Sequence, residues 1–95
     1  MQIIIDGSSV QTQCEFHSQI AKTLDFPSYY GKNLDALWDC LGDFTTTIHG
    51  EAVEVVIKES EHLKKVVGEE YFTKIVDIFE EAREKFKKPL HLILE

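Results

Sequence analysis

The sequence predicts an α/β protein: a small three-stranded parallel sheet with about four helices packed on it, in the order βααβααβ. Three observations lead there. Short aliphatic or β-branched runs stand at Ile3–Ile5, Ala52–Ile57 and Leu90–Leu94. Apolar residues at helical spacing fill both intervals between them. The intervals, 46 and 32 residues long, are far too long for hairpins, so the strands must be joined by crossovers and lie parallel. Parallel sheets are covered on both faces as a rule, which would explain runs without polar alternation.

Each element has a local cause. Ile3, Ile4 and Ile5 form the first strand, ended by the turn signal Asp6-Gly7. Thr12 and Glu15 stand three apart in the capping-box pattern and open a helix over roughly 13–24, with Phe16, Ile20 and Leu24 on one face. Asp25 to Lys32 carries Pro27, Gly31 and the pair Tyr29-Tyr30, which breaks the period and makes a loop. Asn33 is placed to cap a second helix, whose Leu34, Leu37, Trp38 and Leu41 form a stripe that stops at Gly42. Ala52 to Ile57 is the second strand. Ser60 is positioned to cap a short helix through Val67, stopped by Gly68. A longer helix runs from about Glu70 to Phe86, with Phe72, Ile75, Val76, Phe79, Ala82 and Phe86 in phase, and Pro89 ends it before the third strand. No linker or repeat divides the 95 residues, so a single domain over 1–95 is expected.

Charge narrows the functional classes. Seventeen acidic and ten basic side chains give a formal charge of −7. An acidic surface repels nucleic-acid phosphates, so no nucleic acid is expected as partner, and a basic protein fits better. No apolar run approaches the length of a membrane span, and the start has no basic and apolar signal segment; a cytoplasmic protein without a membrane partner is expected. Cys14 and Cys40 are too few for a disulfide framework and read as half-buried free thiols of a reducing compartment.

Residues 25–50 hold four acids against one base, and no Lys or Arg occurs between Asn33 and Ile57. With Leu34 set at 0° on the second helix, Asp35, Asp39 and Asp43 fall at about 100°, 140° and 180°. They form one stripe beside the core face. Like charges at this spacing cost an isolated helix about 0.2–0.5 kcal/mol per pair, and Asp43 also opposes the helix dipole. Such a stripe is either a solvated face or a binding surface. Trp38 at its edge and two tyrosines in the preceding loop have the composition of an interface hot spot. For Tyr29 and Tyr30 themselves, packing on the domain and contact with a partner are both open.

Catalytic motifs are absent: no glycine-rich phosphate loop, no G-x-S-x-G and no H-E-x-x-H. His17, His49, His62 and His91 lack metal-ligand spacing, and Cys40 has carboxylates for neighbours, which disfavour its thiolate. No catalytic residue, metal or cofactor is expected. The one enzymatic alternative is a small carboxylate enzyme using Asp35 and Asp39 for acid–base chemistry or divalent-metal binding.

The run Tyr29-Tyr30-Gly31-Lys32-Asn33-Leu34-Asp35-Ala36-Leu37-Trp38-Asp39, preceded by Pro27, closely resembles the signature loop and helix of the barstar family. An opening strand ended by Gly7, His17 in the first helix and Phe79-Glu80-Glu81-Ala82 in the last extend the likeness over essentially the whole chain. Barstar-family proteins are intracellular inhibitors of barnase-type ribonucleases, built on a three-stranded parallel sheet with helices. The resemblance implies a non-enzymatic inhibitor, monomeric when free, that binds a basic ribonuclease one to one with its Tyr29 to Phe44 face, Tyr30 included. It implies that Asp39 takes the place of a substrate phosphate among the nuclease's Arg and His side chains. Asp35 would pair with further basic groups, and Tyr29 would pack on a catalytic histidine. Gly31, Asn33, Leu34 and Trp38 would shape the contact, with Glu81 as a second acidic contact at the rim. The chain departs from the family pattern at Lys32, Phe44 and Glu80, departures that bear on the choice of target. The alternatives are an immunity protein for a different basic nuclease toxin and an interaction domain without inhibitory action.

Overall fold

A computed structural model describes residues 1–95 and shows three strands and four helices in the expected order. The strands are β1 (Gln2–Asp6), β2 (Val53–Lys58) and β3 (Leu90–Leu94); the helices are α1 (Gln13–Thr23), α2 (Leu34–Thr45), α3 (Ser60–Val67) and α4 (Glu69–Phe86). One parallel sheet has the spatial order β1-β2-β3, and its register aligns Ile3 with Val55 and Val55 with Leu92. A 3-10 turn, Gly7–Ser9, leads out of β1, capped by the Asp6 side chain on the Ser8 N–H. Gly7 is obligatory by packing: a Cβ there would sit 2.8 Å from the Glu59 carbonyl oxygen, and closer still to that of Lys58.

Ile3, Ile5, Val53, Val55, Ile57, Leu90 and Leu92 alternate onto the sheet face that meets the helices. Against it pack Phe16 and Ile20 of α1, Leu37 and Leu41 of α2, Leu63 of α3, and Phe72, Ile75, Phe79 and Ala82 of α4. The expectation of cover on both faces is overturned. On the other face Ile4 is 44% exposed and Ile93 is half-buried. Val56, between them, is shielded there but lies outside the main core cluster. The strand order supplies the reason. Both crossovers step across the sheet in the same direction, and two right-handed connections of that kind lay their helices on the same side.

Three boundaries also differ from the sequence reading. Helix α2 runs through Gly42 to Thr45, because the glycine is helical and packed: a Cβ on it would stand 3.1 Å from the Phe86 ring. Ser60 is the first residue of α3 and does not cap it; its Oγ donates to the Glu95 carbonyl (2.9 Å), while Glu59 holds the cap position in a left-handed conformation. At the end of α4 the chain turns at Lys87, also left-handed (φ 51°), two residues before Pro89.

Candidate functional site: an acidic helix and its tyrosine loop

Helix α2 begins where Asn33 makes it begin. The Asn33 side chain accepts from the Ala36 N–H (2.8 Å), and its backbone is extended, as a cap requires. The preceding loop, 25–32, is bounded by two non-glycine residues in the left-handed region, Asp25 (φ 57°) and Lys32 (φ 54°). Such residues cost free energy and persist where the surroundings over-determine them, commonly at binding and catalytic sites. Gly31 has no such excuse. Its φ is not left-handed, and a Cβ would meet only ordinary contacts at 3.4 Å and 3.5 Å. Neither backbone conformation nor packing within the chain requires a glycine at 31.

Asp35, Asp39 and Asp43 all lie exposed on α2, as the helical stripe requires. None of the three is in an ion pair; the two salt bridges of the fold are Lys58–Glu95 and Lys74–Glu70. Beside the stripe Leu34, Trp38 and Phe44 are half-buried, while Leu37, Cys40 and Leu41 enter the core. Trp38 leans on the end of α4, its ring 6.0 Å from that of Phe86, and Lys85 Nζ stands 5.4 Å from the Trp38 ring centre in a cation–π arrangement. Glu81 is exposed on the same helix. Phe44 lines a shallow groove with Leu24, Phe26, Pro27 and Cys40.

The two tyrosines part company. Tyr29 is 77% exposed, whereas Tyr30, expected on the contact surface, is only 8% exposed and turned inward. Its ring lies 5.0 Å from Phe26, its N–H donates to the Pro27 carbonyl (3.0 Å), and its hydroxyl is 2.5 Å from His17 Nδ1. His17 is fully buried, and its other nitrogen is 2.6 Å from the Tyr71 hydroxyl on α4. Burial lowers the His17 pKa from 6.5 to about 4 and raises those of both tyrosines. No sequence motif marks His17 as a bridge between α1, the loop and α4, or assigns a role to Tyr71 or Lys85.

The thiols are free but not alike, since Cys14 is exposed and Cys40 is buried. Burial first, and then Asp43 and Asp39, push the Cys40 thiol up, away from the thiolate a nucleophile needs. No three His, Cys, Asp or Glu side chains are grouped to hold a metal ion. The arrangement offers exposed negative charge on a rigid helix, with a half-buried indole and an exposed phenol at its margins.

A protein-family model described as "Barstar (barnase inhibitor)" matches residues 1–95. The chain belongs to the barstar family. Among curated proteins it is 35% identical over 94 residues to one from Bacillus subtilis (strain 168) named "Putative ribonuclease inhibitor YrdF", covering 99% of this chain and 98% of that one. The barstar assignment and the relative's name together support a ribonuclease-inhibitor role and point to a non-catalytic protein. The parallel β-α-α-β-α-α-β architecture agrees with the barstar fold.

Proposed function

We propose that this protein inhibits a basic ribonuclease of the barnase type one to one, by seating the exposed face of α2 and the loop before it in the nuclease's active site. One observation carries the proposal: three aspartates stand in line on α2, exposed, with no cation of the chain paired to them. Like charges at i,i+4 work against the helix. That sacrifice makes sense if a partner supplies the opposite charge. A ribonuclease active site is built to hold a phosphate among basic side chains, and a carboxylate on a rigid helix can occupy that place. Asp39, at the middle of the stripe, is the plug; Asp35 meets further basic groups, Tyr29 covers the nuclease's catalytic histidine, and Glu81 with Trp38 bounds the contact.

The cost of removing one partner from a buried interfacial charge pair is about 2–5 kcal/mol or more, a range that barnase–barstar complexes themselves helped to define. No helix is long and apolar enough to cross a membrane. The free thiols support a reducing compartment, such as the cytoplasm.

The test is a ribonuclease assay of a barnase-type enzyme titrated with the parent and with Asp39→Ala, alongside urea melts of both free proteins. Stoichiometric inhibition by the parent is expected. The variant should inhibit at least about 30-fold more weakly while its own stability stays equal or rises slightly. Unfolding of the variant would make Asp39 structural and end its assignment as the plug. A parent that leaves the ribonuclease active would redirect the same face to another basic nuclease toxin.

A further inference from the structure

His17 joins two elements that are distant in sequence, and the direction of its hydrogen bonds can be worked out. A neutral imidazole has one donor nitrogen and one acceptor nitrogen. Tyr30 is buried, and His17 is the one hydrogen-bond partner of its hydroxyl. If that hydroxyl accepted from His17, its own proton would be buried without an acceptor, which is costly. Tyr30 therefore donates to Nδ1. Nε2 then carries the proton and donates to the Tyr71 oxygen at 2.6 Å. Tyr71 is only half-buried, so its own O–H can turn to water. The result is a one-way chain, Tyr30 to His17 to Tyr71, with every buried proton satisfied.

We propose that Tyr71 is a positioning residue for the binding loop, holding Tyr30, and through it the adjoining Tyr29, by way of His17. This rests on the inhibitor reading for its functional consequence. Tyr71 lies in the first turn of α4, ten residues and about 15 Å of helix before Glu81. Without its oxygen the Nε2 proton loses its acceptor. The ring then gains by turning or by admitting water, and either change loosens the one buried anchor between the left-handed residues Asp25 and Lys32.

The experiment compares the parent, Tyr71→Phe, Tyr30→Phe, the double variant, and Ile75→Val as a control for core loss on the same helix. Inhibition constants toward a barnase-type ribonuclease, imidazole ¹⁵N shifts and amide exchange are read at neutral pH. A domain that loses one hydrogen bond remains overwhelmingly folded at room temperature, so lost stability alone leaves inhibition unchanged. Tyr71→Phe is expected to weaken inhibition about 3- to 10-fold, and Ile75→Val less than about 2-fold. The double variant should be no worse than the poorer single one, because both break the same chain. Parent ¹⁵N shifts should show the proton on Nε2, and Tyr71→Phe should speed exchange at the Tyr30 N–H more than at the Ala36 N–H.

Equal inhibition by Tyr71→Phe and parent overturns the proposal, and so does a proton on Nδ1. A parent that fails to inhibit is a failure of the inhibitor reading instead. The exchange measurement then decides: selective loosening at Tyr30 sustains the coupling, and unchanged exchange overturns it.

Discussion

His17 shows how a buried side chain ties fold to pH. Its ring is fully buried with both nitrogens engaged by phenols, and burial brings its pKa down from 6.5 to about 4. A second proton on the ring would make both nitrogens donors, and Tyr30 would have to turn its hydroxyl toward no acceptor. The sign of the consequence follows. Below about pH 6.5 the unfolded chain binds a proton that the native ring refuses, so stability falls with pH through the window between 6.5 and 4. Above it the histidine is neutral in both states and contributes no pH dependence. At 1.36 kcal/mol per unit the loss across the window is roughly 3 kcal/mol. Urea midpoints of the parent at pH 7 and pH 4.5, set against His17→Gln, check this: the parent should lose more stability on acidification than the variant. A steeper loss in the variant would mean that His17 is not the group responsible.

At the scale of elements, the start of α2 is fixed by its cap, while its apolar stripe supplies most of its stability. Asn33 accepts from the Ala36 N–H, and truncating it in Asn33→Ala should cost about 1 kcal/mol in a urea melt. It should also weaken inhibition, because the cap fixes the angle at which the loop enters the helix. Asn33, like the Thr12 cap of α1, was legible in the sequence because its cause is local: a polar residue, a turn, and an apolar period beginning after it. Gly42 was misleading for the opposite reason. Glycine commonly stops helices, but here the ring of Phe86, 44 positions away in sequence, needs the room. Tyr71 escaped notice on the same ground. It sits four positions before Ile75, at the edge of the apolar stripe of α4, where an aromatic ring reads as ordinary packing, and its partner His17 is 54 positions distant. The open side of the sheet was hidden too, since the uninterrupted run Ile3–Ile5 reads the same whether helices cover one side or both. That choice is made by strand order, which no single strand encodes.

At the scale of the whole molecule, stability and binding are drawn from different residues. Phe79 is almost fully buried between α4 and the sheet, and Phe79→Ala should cost about 3–5 kcal/mol while leaving affinity unchanged so long as the domain is folded. The acidic face should behave the other way, and its reach extends past contact distance. A net charge of −7 with a local excess at residues 25–50 sets up a field that attracts a basic partner before the surfaces touch. Dissolved ions screen such a field within about 10 Å at 0.1 M salt and about 3 Å at 1 M. Once the surfaces meet, water and ions are displaced from the central charge pairs, and screening has less purchase there. Association with the ribonuclease should therefore slow by about 10-fold or more between low and high salt, while dissociation changes little. Stopped-flow association at several salt concentrations, paired with a displacement measurement of the off-rate, separates the two. An association rate indifferent to salt would deny the acidic face any steering role and leave Asp39 acting at contact alone.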